Sequence, residues 1–141
     1  MTSELVVSSF YDLRDAEAFD RAARLLMARM RLTGMEGIRS YRFLPSGPRG
    51  RRLVAVHEGP QAWVDLHDRI TPWAESANLR AAARLARVDV YGPLSPSMRD
   101  WVEDLGLGRR LRLLGGRAAL PPEPIQRQGE GRSLFRRLVG G

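Results

Sequence analysis

The chemistry available to this chain rests on few side chains. The sequence holds two histidines, three tryptophans, three tyrosines and no cysteine. Trp63 and His67 stand four residues apart, a spacing that brings two side chains together on one face of a helix. A histidine near its ordinary pKa can take a phenolic proton, and a tryptophan can stack on an aromatic ring. Tyr41, His57 and Tyr91 lie in strand-like stretches and can approach that face from a sheet. The candidate site is therefore His67 as base, Trp63 and Trp73 as aromatic walls, and Arg84, Tyr91, Tyr41 and His57 as substrate-binding groups. A plainer reading stays open for each: Trp63 as core packing, His67 as a hydrogen-bonded structural histidine, Trp73 as a packing anchor beside Pro72, Tyr91 as a lid on the core or a dimer contact.

Several function classes are absent from the pattern. Without cysteine there is no disulfide, thiolate zinc site or cysteine nucleophile, which suits a reducing cytoplasm. The two histidines form no recognised metal spacing with Glu58 or Asp65, so no metal and no cofactor is expected. No glycine-rich dinucleotide fingerprint, phosphate-binding loop or GxSxG elbow occurs. The start of the chain does not read as a signal peptide, and no apolar run has the roughly 20 residues of a membrane helix. The net charge of +7 is unevenly spread: residues 1–105 carry 15 Arg against 14 acids, and residues 106–141 carry 8 Arg against 2. A nearly neutral folded part makes nucleic acid an unexpected partner there, while the basic end leaves weak binding to an anionic partner open.

The elements that must position these residues follow from hydrophobic spacing. Residues 4–11 (ELVVSSFY) read as a strand with both faces covered. From Asp12 or Asp15 to about Thr33, Phe19, Ala22, Ala23, Leu26 and Met30 mark a long amphipathic helix ended by Gly34. Residues 37–45 and 51–59 read as an antiparallel hairpin around Ser46-Gly47-Pro48-Arg49. Pro60 opens a helix whose inward face carries Trp63, Leu66, His67 and Ile70. Thr71 and Pro72 are expected to cap and restart the helix, with Ala74, Ala77, Ala81 and Leu85 as its apolar stripe. Residues 87–91 (RVDVY) form the last strand before Gly92-Pro93. The order β, α, β, β, α, β predicts an α+β, ferredoxin-like four-stranded antiparallel sheet with its helices on one face. Its other face, apolar in part, is expected to pair with a second copy as a homodimer. The domain is expected over residues 1–105, closing with a short helix around Trp101. Residues 106–141 are expected to be a basic, Gly/Pro/Arg-rich, mobile tail.

The strand LVAVHEG, the helix PQAWVDLHD, the following helix and the strand VDVYGPL resemble the antibiotic biosynthesis monooxygenase-like family of the dimeric α+β barrel superfamily, over roughly residues 4–94. The resemblance implies a pocket between the sheet and its helices. It implies a cofactor-independent monooxygenase acting on a phenol or quinol, in which the deprotonated substrate itself reduces oxygen. His67 is the residue that matches best. Haem-degrading members place an Asn in the first strand, where this chain has Ser8 and Ser9. The alternative is a non-catalytic ligand-binding or interaction module on the same barrel. An open cavity lined by Trp63 and His67 favours the enzyme, and a filled core favours the module.

Overall fold

The computed structural model describes residues 4–115. In chain order it contains β1 (Leu5–Leu13), α1 (Ala16–Thr33), β2 (Ile38–Pro45), β3 (Gly50–His57), α2 (Pro60–Ile70), α3 (Ala74–Ala82), β4 (Ala83–Tyr91), α4 (Pro96–Glu103), a 3-10 turn (Gly108–Arg110) and β5 (Leu111–Leu113). The sheet order is β2-β3-β1-β4-β5. The first four strands are mutually antiparallel, as in the expected ferredoxin-like unit, and β5 adds to β4 in parallel.

The long helix α1 follows its sequence pattern closely. The Asp15 carboxylate accepts from the Ala18 N–H at its start, Gly34 closes its end with φ 108°, and Phe19, Ala22, Ala23, Leu26 and Met30 are buried. Phe19 and Met30 are fully enclosed, each worth about 1.5–3 kcal/mol of transfer free energy. In the β2–β3 turn, a side chain on Gly50 would collide with the Ser46 carbonyl oxygen, so the tight return needs glycine.

β4 starts earlier than its sequence suggests. A register shift between Phe10 and Tyr11 leaves Ala86 without a partner on β1. The extra residue lets Ala83, Leu85, Val88 and Val90 share the face turned toward the helices. For the same reason α3 ends at Ala82 and does not run to Leu85. Its buried residues are Ser76, Leu79 and Ala82, whereas Ala74, Ala77 and Ala81, the expected stripe, are exposed. Thr71 also differs from expectation: it closes α2, and Trp73 in extended conformation precedes α3 with no side-chain cap.

All the helices pack on one face of the sheet. Leu26, Phe19, Leu53, Ala55, Leu66 and Leu79 belong to a core under α1, α2 and α3. Leu5, Val7, Trp63, Val88, Val90 and Val102 belong to a second core under α2 and α4. Residues 106–115 depart from the expected tail: Leu107 and Leu111 pack on the second core beside Leu105, and Leu111–Leu113 extends the sheet. Residues 116–141, where the rest of the mobile tail is expected, lie outside the described residues.

The outer face of the sheet is less apolar than expected at its centre. Asp89 is 2% exposed. It accepts from Arg112 Nε at 2.9 Å and Nη2 at 3.1 Å, and Arg87 Nε lies 3.2 Å away. Arg52 donates to Ser8 Oγ at 2.7 Å, and the Arg52 and Arg87 guanidinium groups lie over the Phe10 ring. Ser8, like Asp89, is buried.

Candidate functional site

A cavity of about 520 Å³ lies between the sheet and α2 and α3, within the range of small-molecule sites. Its floor comes from four strands, in which side chains two apart share a face, with Ala83, Leu85 and Val88 of β4 joining residues of the first three. Val7, Ser9 and Tyr11 come from β1, Tyr41 and Phe43 from β2, and Leu53, Ala55 and His57 from β3. Trp63, Leu66, His67 and Ile70 descend from α2, and Ser76, Leu79 and Arg80 from α3. Leu105, Leu107 and Arg110 close one side.

His67 sits at the junction of cavity and solvent, with its side chain 37% exposed. Its Nδ1 is 3.4 Å from Thr71 Oγ1, and that hydroxyl donates its only hydrogen to the His67 carbonyl. Any hydrogen bond between the two side chains must then be donated by Nδ1–H. The network thus assigns the free lone pair to Nε2, the nitrogen available as a base. The His67 ring also stands edge-on to Trp101 at 5.3 Å between centroids, and Trp101 meets Trp63 in the same way at 5.1 Å. Trp101, from α4, therefore backs both residues of the Trp63/His67 pair.

His57 is the buried polar group of the floor. It is 1% exposed, and its Nδ1 has no hydrogen-bond partner among the described residues. Burial lowers its pKa from 6.5 to about 4, so it is neutral at neutral pH. Ser76 Oγ is likewise buried without a partner. Unpaired buried polar atoms are costly, and atoms of this kind lining a cavity are suited to a ligand that pairs with them. Tyr11 and Tyr41 present phenols to the same space. Burial pushes Tyr11 up to about 12, opposed by the Arg80 charge, and pushes Tyr41 higher still. Both are hydrogen-bond donors at any physiological pH.

Of the residues singled out from the sequence, Trp63, His67, His57, Tyr41 and Arg84 line the cavity. Arg84 does so from within β4, but it lies between the inward Ala83 and Leu85, so its side chain has the parity of the outer face, where its guanidinium is held by Asp12 across the strand pair. Trp73 and Tyr91 lie elsewhere. Trp73 packs on the core beneath the Arg29 guanidinium, 4.1 Å from the ring centroid, pinning the start of α3 to α1. Tyr91 pairs with Val6 and faces the outer side of the sheet, because its parity is that of Asp89. Sequence reasoning missed Ser9, Tyr11, Ser76 and Arg80. Ser9 and Tyr11 were detectable as the same-face partners of Val7; Ser76 was hidden by the alanines around it.

No protein-family model and no curated protein sequence matches the chain. Solved structures do. MupZ from Pseudomonas fluorescens superposes with a TM-score of 0.63 at 14% identity, over 90% of this chain and 97% of its own. SnoaB, a cofactor-independent oxygenase from Streptomyces nogalater, gives 0.56 at 11% identity, over 66% of this chain and 95% of its own. A Caulobacter crescentus protein assigned to the antibiotic biosynthesis monooxygenases gives 0.56 at 13% identity, over 67% and 92%. At such identities the likeness concerns the fold, and the chain carries the antibiotic biosynthesis monooxygenase-like α+β fold, extended by one parallel strand.

Proposed function

We propose that the cavity is the active site of a monooxygenase-like enzyme that oxidises an aromatic phenol or quinol without metal or flavin. The observation that carries this reading is a cavity lined by both Trp63 and His67, with the histidine partly exposed to solvent and a mainly apolar lining that holds a few polar groups. A filled core would have favoured a non-catalytic module. In the proposed reaction His67 Nε2 takes the phenolic proton and the phenolate passes an electron to oxygen. Recombination forms a ring C–O bond. Loss of water from the hydroperoxide gives the quinone, so phenol and oxygen become quinone and water with no further reductant. Trp63 and the apolar floor hold the ring, while neutral His57 and the Tyr41 phenol hydrogen-bond its oxygen substituents.

A thermal-shift screen of naphthols, anthracenols and quinols tests the site. A phenol that fits raises the melting temperature by mass action in the intact protein, and Trp63→Phe reduces that shift. If no member of the panel shifts the transition, the cavity is not a phenol site.

The homodimer belongs to the same reading. All the described helices cover one face of the sheet, and Val6, Val54 and Val56 on the other are only half-buried. A second copy packed sheet to sheet covers them. Light scattering at micromolar concentration is expected to give twice the chain mass, and a monomer mass contradicts the pairing.

No helix among the described residues is long and apolar enough to cross a membrane.

A further inference from the structure

The residues lining the cavity include four arginines, Arg14, Arg80, Arg84 and Arg110, and no aspartate or glutamate. Two of the four are already engaged. Arg84 is paired with Asp12, and Arg110 donates to the carbonyls of Leu85, Leu107 and Gly106, tying the 3-10 turn to β4. Arg14 and Arg80 differ. Both are exposed, and neither has a carboxylate partner among the described residues. Their contacts are long bonds to main-chain carbonyls, 3.5 Å from Arg14 to Ala83 and 3.4 to 3.5 Å from Arg80 to Thr71. Elsewhere among the described residues Arg29, Arg39, Arg51, Arg87 and Arg112 meet carboxylates and other arginines do not, so what distinguishes Arg14 and Arg80 is their place on the lining of the cavity.

We infer that the ligand of this cavity is an aromatic acid, its ring system on the apolar floor and its carboxylate at the mouth between Arg80 and Arg14. The inference rests on the cavity being the substrate site and adds the ligand's charge. A guanidinium presents planar paired donors that suit a carboxylate, and unpaired guanidinium groups at the rim of an apolar pocket draw an anion to it. The buried polar atoms complete the match. His57 Nδ1, Ser76 Oγ and the two tyrosine phenols give hydrogen-bonding positions for hydroxyl or carbonyl groups on the ring, away from the charged end. Tyr11 lies within the field of Arg80, so one of the phenols of the floor sits near the charged rim.

The test compares 6-hydroxy-2-naphthoic acid with 2-naphthol, matched rings that differ in the carboxylate and carry the hydroxyl at the far end, by titration calorimetry at pH 7 on the full chain. The acid is expected to bind about tenfold tighter. Arg80→Gln, a substitution at an exposed site, is expected to remove most of that advantage and leave 2-naphthol affinity unchanged, and Arg14→Gln to remove part of it. The advantage should also shrink as salt rises from low to physiological strength. Equal affinity for the two compounds, binding by neither, or an advantage that survives both substitutions overturns the inference. The oxidation fails separately: tight binding of the acid with no oxygen uptake removes the proposed reaction and leaves the anion site standing.

Discussion

Replacing His67 with alanine is expected to lower turnover of a phenolic substrate by about 10²–10⁴-fold, the usual contribution of a positioned general base. The fold should survive the change, because the side chain is 37% exposed and its hydrogen-bond contact is with Thr71 alone on the same helix end. Binding of the substrate should change little, since Trp63, Tyr41 and His57 hold the ring and its oxygens. The loss therefore belongs in kcat, with the dissociation constant largely kept, the pattern of a group that acts mainly in the transition state. Thr71→Val gives a second reading of the same claim. It deletes the hydroxyl that receives Nδ1–H, so a partial loss in kcat is expected, smaller than that of His67→Ala. Unchanged turnover in His67→Ala would remove His67 from the reaction and leave the cavity as a binding site.

Acidification from pH 7 to pH 4 is expected to cost about 3 kcal/mol of folding stability through His57. In the folded chain its pKa is about 4, held down by burial, against 6.5 for the free side chain. Between those values the unfolded chain binds a proton that the folded chain does not. The contribution is thus fully present above about pH 6.5, declines as pH falls, and is exhausted near pH 4. Asp20 and Asp89 do not confuse this window. Desolvation disfavours ionised Asp89, but bonds and charges from Arg112, Arg87 and Arg52 outweigh it, and for Asp20 the Arg51 hydrogen bonds dominate. Their carboxyls are held below the ordinary carboxylate value of 3.8, so their stabilisation is lost only at still lower pH. Urea unfolding at pH 7, 5.5 and 4 reads the effect, and His57→Leu should flatten it. A wild-type slope that persists in His57→Leu would assign the titration to another group.

The contrast between His57 and His67 marks how far the sequence could be read. The βαββαβ order of the first four strands, the helix start at Asp12 or Asp15 and the stop at Gly34 are local features, and the structure has the helix capped by the second of those aspartates. Trp63 and His67 are legible as a pair because helix geometry alone puts i and i+4 together. Their roles are not, because the same inward face serves core and cavity. Thr71, expected at the start of a helix, is found at the end of one, with its Oγ1 3.4 Å from His67 Nδ1. The alanine stripe of α3 misled for a related reason: alanine is a good helix former wherever it sits, so its spacing does not report burial. Residues 106–115 look like a tail because arginine and glycine surround their leucines. Leu107 and Leu111, beside Leu105, are nonetheless what closes the second core. Their value depends on Trp63 and Trp101 lying beneath, a long-range fact that no local window contains. The bulge at Ala86 is of the same kind, since parity along β4 is set only by the partner strand.

The proposed oxidation requires molecular oxygen to react at the cavity, and isotope labelling follows its atoms into the product. A phenol that stabilises the protein is incubated with metal- and flavin-stripped enzyme under ¹⁸O₂, and the product is weighed by mass spectrometry. One ¹⁸O atom in the quinone, oxygen uptake equal to product formed, and the loss of both in His67→Ala are predicted. An unlabelled product, or label that enters only from H₂¹⁸O, contradicts an oxygenase and leaves the domain as a binder of aromatic ligands.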